Sequence, residues 1–136
     1  MNPEAPEIAV VAAWHEALNA GDADRVAALS RDDVELVGPR GVASGRAVVR
    51  DWVDRAGARL EPLRWFHRDG SVVVEQRATW RAGETAAANA AANAPLVVAT
   101  AFRVRDGLVH RIARHDGVRE ALADAGLDES TALARS

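Results

Sequence analysis

Hydrophobic positions repeat mainly at the helical period as far as Pro62 and mainly at the strand period beyond it. Over residues 8–19 the apolar side chains fall at Val10, Val11, Trp14, Ala17 and Leu18, the spacing of a helical stripe. Ala20-Gly21-Asp22 then closes one helix and opens another. Gly21 suits the left-handed closing position, and Asp22 suits the cap of a second helix over residues 23–30. A short strand is expected over Val34–Val37, broken by Gly38-Pro39-Arg40-Gly41. A third helix is expected over about Arg46–Arg59. Its inward stripe is Val48, Val49, Trp52, Val53, Ala56 and Leu60, and Pro62 stops it.

Beyond Pro62 the period becomes that of strands. Leu63–Arg68 turns at Asp69-Gly70, a favourable hairpin pair. In Ser71–Arg81 alternation places Val72, Val74, Gln76, Ala78 and Trp80 on one face, with Val73, Glu75, Arg77, Thr79 and Arg81 on the other. Leu96, Val98, Thr100, Phe102 and Val104 share a face of the next strand. After Asp106-Gly107, His110, Ile112 and Arg114 share a face of the last one. A short helix is expected over Val118–Ala125. Residues 83–95 contain the low-complexity run AAANAAANAP, read as a long hairpin connection. The pattern as a whole is α+β: antiparallel hairpins need one covered face, and the amphipathic helices supply the cover.

Composition narrows the chemistry. The 136 residues, 49% hydrophobic and 27% charged, suit one globular domain. Residues 1–7 read as a flexible leader, 8–126 as the domain and 127–136 as a fraying tail. The absence of cysteine excludes disulfides, thiolate nucleophiles and Cys-type zinc sites. All 17 basic residues are arginine, which excludes lysine Schiff bases and a P-loop lysine. The arginines are interleaved with acids at a net charge of −3, so no nucleic-acid-binding stripe emerges. No apolar run approaches a membrane span, and the acidic start MNPEAPE lacks a secretory signal's basic region, so a cytoplasmic location is expected. The histidines lack close ligand spacing, so neither a metal nor another cofactor is expected.

Several weak motifs together carry a family likeness: ALNAGDAD at the helix break, the strand DDVELVGP, the helix SGRAVVRDW and the closing DGLVHRIARHDGVREALADAGL. Over residues 8–126 the chain resembles the nuclear transport factor 2-like superfamily, in its SnoaL-like and ketosteroid isomerase-like branches. The resemblance implies a cone-shaped half-barrel, a curved antiparallel sheet covered by three N-terminal helices. It also implies a pocket between sheet and helices, and homodimerisation through the sheet. The outward positions Val73, Arg77, Thr79, Val97, Ala99 and Ala101 are the expected dimer patch.

The same resemblance shows what is missing. Where ketosteroid isomerases keep a tyrosine, a catalytic aspartate and a protonated aspartic acid, this chain has Trp14, Leu36 at or near the base, and Thr100. Limonene-type epoxide hydrolases use an Arg and an Asp at the positions of Gln76 and Ala78. Arg114 stands where those hydrolases and SnoaL-type cyclases place a last-strand acid. A guanidinium cannot act as a general base near neutral pH.

The expected function is therefore a SnoaL-like domain binding a small, hydrophobic and potentially anionic ligand. Trp14, Leu36, Trp52, Gln76, Trp80, Thr100, Phe102 and Arg114 are the expected ligand-binding residues. The enzymatic alternative is an isomerase, cyclase or hydrolase of polyketide- or steroid-like substrates, with His110 as the catalytic acid or base and Arg114 as oxyanion partner. A structural dimerisation module is a further alternative.

Overall fold

The computed structural model describes residues 6–38, 41–80 and 96–132. Helix α1 (Pro6–Asn19) and helix α2 (Ala23–Ala28) lead into strand β1 (Ser30–Gly38), β2 (Gly41–Ser44) and helix α3 (Arg46–Ala56). Strands β3 (Ala58–Arg68), β4 (Ser71–Trp80), β5 (Leu96–Arg105) and β6 (Leu108–His115) follow, then helix α4 (Val118–Ala125) and a short 3-10 turn, Glu129–Thr131. The strands form one curved, unclosed six-stranded sheet in the order β2-β1-β6-β5-β4-β3. All neighbours are antiparallel except β1 and β6, whose parallel pairing joins the front of the chain to its back.

The helix break lies at Gly21, and the Asp22 carboxylate accepts from the Arg25 backbone N–H at 3.1 Å, capping α2. Several boundaries differ from the sequence-based expectation: helix α2 ends at Ala28, and β1 begins at Ser30, ahead of the expected Val34. The segment after Pro39-Arg40 is not a loop but β2, pairing with β1 from Glu35↔Ser44 to Gly38↔Gly41. Helix α3 ends early because Gly57 takes the left-handed conformation (φ 57°). The chain then enters β3 before Pro62, where a strand was expected only after it. Pro62 is tolerated because β3 is an edge strand and its register shifts between Pro62 and Arg64. The hairpins at Asp69-Gly70 and Asp106-Gly107 form as the sequence predicts, with both aspartates at positive φ. At Gly70 a Cβ would stand 2.9 Å from the Val104 carbonyl oxygen, so glycine permits the close approach of this turn to β5.

Alternation sorts the sheet into two faces, each with its own core. The inner face contributes Val72, Val74, Ala78, Val98, Phe102 and Ile112, packed against Val11, Trp14, Leu18, Val26, Val49 and Val53 of the first three helices. The outer face contributes Phe66, Val73, Ala99 and Ala101, packed against Ala121 and Leu122 of α4. This second core corrects the expected dimer patch. Val73, Ala99 and Ala101 are buried inside the chain, because the closing helix folds back over them. Arg77 and Val97 remain exposed, with Thr79 half-buried. Residues 127–132, expected to fray, also dock. Leu127 packs on the outer core, Ala132 bridges to Phe66, and Arg64 Nη2 pairs with Glu129 at 2.8 Å. The AAANAAANAP run lies outside the described residues, as do residues 1–5 of the expected leader and 133–136 of the tail.

Candidate functional site

Helix α1 lies across the inner face and buries more than a narrow stripe. Ile8, Val11, Trp14, His15, Ala17 and Leu18 all face the interior. Its last residue ties it to the edge strand. The Asn19 amide donates to the Leu60 carbonyl at 2.9 Å and accepts from the Leu60 N–H at 2.8 Å, substituting for a neighbouring strand. This anchor fixes Trp14 and His15 over the middle of the sheet.

His15, a polar residue next to Trp14 on α1, is buried at the centre of a polar chain. The spacing Val11-His15-Leu18 puts it on the buried side of α1. Its Nδ1 is 2.8 Å from the Val11 carbonyl oxygen. Because that oxygen can only accept, Nδ1 carries the proton and Nε2 is left as an acceptor. Gln76 answers with its amide nitrogen, 2.8 Å from Nε2, and its amide oxygen accepts from the Thr100 hydroxyl at 2.8 Å. Burial lowers the His15 pKa to about 4, against a partial upward pull from the Val11 carbonyl. The ring is therefore neutral at physiological pH, and each member of the chain fixes the orientation of the next.

Trp14 points into the same interior. Its ring meets Phe102 edge-on at 5.0 Å and His15 at 5.4 Å, and Trp52 of α3 stacks beside it at 6.2 Å with the planes 19° apart. Trp65 approaches His15 at 5.7 Å. The Trp14 indole Nε1 is buried and has no hydrogen-bond partner among the described residues. Trp14, Gln76, Phe102 and Thr100 are at most 2% exposed, so they close on one another. Leu36 and Trp52 are half-buried against this core. Arg114, the register partner of Thr100 and two positions beyond the inward Ile112, is exposed. Trp80 ends β4, and its side chain lies outside the described residues.

His110 does not share the inward face expected for it. Arg103 pairs with Arg111 and Val104 with Val109, so β6 bulges at His110. The bulge breaks the alternation and gives the inward position to Val109. The His110 Nε2 lies 3.9 Å from Oδ2 of exposed Asp33, whose partner Arg31 also pairs with exposed Asp106. The hydrogen bond from Arg31 holds the Asp33 carboxyl below the usual carboxylate range.

On the outer face a cavity of about 240 Å³ is lined by Ala101, Phe102, Arg103, Arg111, Asp124 and Ala125. Arg103 and Arg111 are direct cross-strand partners, a repulsive pairing that the Asp124 carboxylate relieves. Asp124 accepts from Arg111 at 3.0 Å and from His115 at 2.9 Å. Partial burial pushes its carboxyl up, but those two partners outweigh the effect and hold it below its ordinary range.

Comparison with known proteins assigns the class that this fold and interior define. A model of the SnoaL-like domain matches residues 11–115, and the chain belongs to that family. Its fold is that of the nuclear transport factor 2-like superfamily. Among curated proteins, none matches the sequence. A nuclear transport factor 2-like protein from Cytophaga hutchinsonii superposes with a TM-score of 0.68 at 11% identity, over 85% of this chain and 93% of that one. A candidate polyketide cyclase from Xanthomonas campestris pv. campestris gives 0.64 at 21% identity, over 88% and 96%. TerC, crystallised with polyporic acid, gives 0.66 at 20% identity, over 89% and 98%. At these identities the likeness is one of fold.

Proposed function

We propose that this chain is a small-molecule-binding SnoaL-like domain that holds a mostly apolar ligand between α1, α3 and the inner face of the sheet. The observation that carries the reading is the buried Trp14 indole N–H, which has no acceptor among the described residues. A buried unpaired donor costs about 1–3 kcal/mol, a cost that a ligand carbonyl or oxyanion at that point removes. Trp14 stands where the resembling isomerases keep a hydrogen-bonding tyrosine. Leu36, Phe102 and Trp52 supply apolar wall, and Gln76 and Thr100 a neutral polar strip. Arg114, exposed two positions beyond the inward Ile112, would be the residue to meet an anionic group on the ligand. The crystallisation of TerC with polyporic acid supports small-molecule binding on this fold.

Binding is favoured over catalysis. Leu36 and Thr100 cannot take a proton at neutral pH, Arg114 is permanently charged, and the buried His15 has its one accepting nitrogen occupied by Gln76. His110, the candidate base of the enzymatic alternative, stands among surface charges beside Asp33. Native mass spectrometry of protein purified from its source tests the reading. The wild type is expected to carry an apolar adduct that Trp14→Phe carries less. Equal retention by both proteins would remove the observation on which the reading rests.

A further inference from the structure

Among the described residues, Trp52 is the one aromatic contact of Trp14 that is not itself sealed in the core. Its ring lies nearly parallel to the Trp14 ring, with centroids 6.2 Å apart. Phe102 and His15 meet Trp14 edge-on and are fully buried. Trp52 is half-buried, and it belongs to α3, which packs mainly on α2 and β1 and sends Val49 and Val53 into the inner core. A parallel aromatic ring at the border between core and solvent is the arrangement a bound flat ring would adopt. The residues behind it are at most 2% exposed, so a ligand reaches them only if a side chain moves. Trp52 packs at the edge of that core and is partly open to solvent.

We propose that Trp52 is a displaceable plug, an internal stand-in for the aromatic ring of the ligand. This rests on the binding reading above and narrows its ligand class. In the free protein the plug covers one face of the Trp14 ring. On binding, Trp52 swings outward and a planar aromatic ring of the ligand takes over its stack. The indole N–H lies in the plane of the Trp14 ring, so a ring stacked on that face cannot itself reach it. The acceptor that satisfies Nε1 is therefore carried on an arm of the ligand, out of the plane of the stacked ring. The ligand class is an aromatic ring joined through a flexible or twisted bond to a carbonyl or similar oxygen. Fused flat ketones, with ring and acceptor in one plane, fit less well.

The plug makes a quantitative statement about affinity. If the open form is a minor state, every ligand's apparent affinity is reduced by the open fraction, and removing the plug restores it. An open population of about one tenth gives roughly a tenfold gain. The probe is 4-phenyl-2-butanone, which has a phenyl ring and a ketone on a flexible arm, with n-butylbenzene as its carbonyl-free counterpart. Both are titrated against wild type, Trp52→Ala, Trp52→Leu and Trp14→Phe by ¹⁵N–¹H correlation spectra. Trp52→Leu keeps an apolar side chain on α3 and guards against loss of folding. Both Trp52 variants are expected to bind the ketone about tenfold more tightly than wild type. They are also expected to prefer it over n-butylbenzene, a preference that Trp14→Phe loses. Unchanged or weaker ketone binding in both Trp52 variants, with the Trp14 dependence intact, overturns the plug and leaves the binding site standing. Absence of ketone binding in wild type and both Trp52 variants overturns the plug and the site together.

Discussion

His15 is the residue whose environment departs furthest from what a polar side chain on a surface helix would meet. Its neutral ring is fixed by Val11 and Gln76, and its pKa is lowered from 6.5 to about 4, chiefly by burial. The consequence for stability has a definite sign. Below pH 6.5 the unfolded chain takes up a proton that the folded chain refuses, so stability falls as pH drops from about 6.5 towards 4 and is flat above that window. The full loss is roughly 3 kcal/mol. Urea midpoints measured from pH 7 to pH 4 are expected to show this slope in wild type and a shallower one in His15→Asn. Gln76→Met, close in shape, leaves His15 Nε2 and the Thr100 hydroxyl unpaired. It should cost about 2–4 kcal/mol in urea denaturation. The importance of Gln76 was legible in the alternation of β4, which puts it on the inner face. That of His15 was obscured because histidine was read as polar; only the Val11-His15-Leu18 spacing marked it.

At the scale of elements, helix α4 decides what the outer face of the sheet can do. Ala121 and Leu122 bury Val73, Ala99 and Ala101, and Asp124 ties the helix to Arg111 and His115. The period of the strands showed which residues share that face; it could not show that the chain's own end covers them, because that contact joins segments distant in sequence. Likewise the alternation of β6 was read as regular, and one bulge moved His110 out of register. Leu122→Ala is expected to cost about 2–4 kcal/mol, read from thermal or urea unfolding. Removing residues 118–136 uncovers an apolar face. Light scattering should then show more self-association than in the full chain. If that truncated chain associates no more than the intact one, α4 is not the cover described here.

Across the whole molecule, the parallel pairing of β1 with β6 and the two-sided burial of the sheet set the architecture, and the family match over residues 11–115 accords with it. The switch of period from helix to strand and the Asp-Gly hairpins made most of this fold readable from sequence. The closing of the site was not readable. Alternation says that Trp14, Gln76, Thr100 and Phe102 face inward, but only packing shows that they seal against one another and that Trp14 is left with an unanswered donor. That donor is the centre of the functional account. Its most direct test is the indole N–H resonance of Trp14, assigned by its disappearance in Trp14→Phe and followed while Trp52→Leu is titrated with 4-phenyl-2-butanone. Hydrogen bonding to the ketone should move this resonance downfield, while n-butylbenzene leaves it nearly in place. A ketone that binds without moving the Trp14 signal would contradict the account.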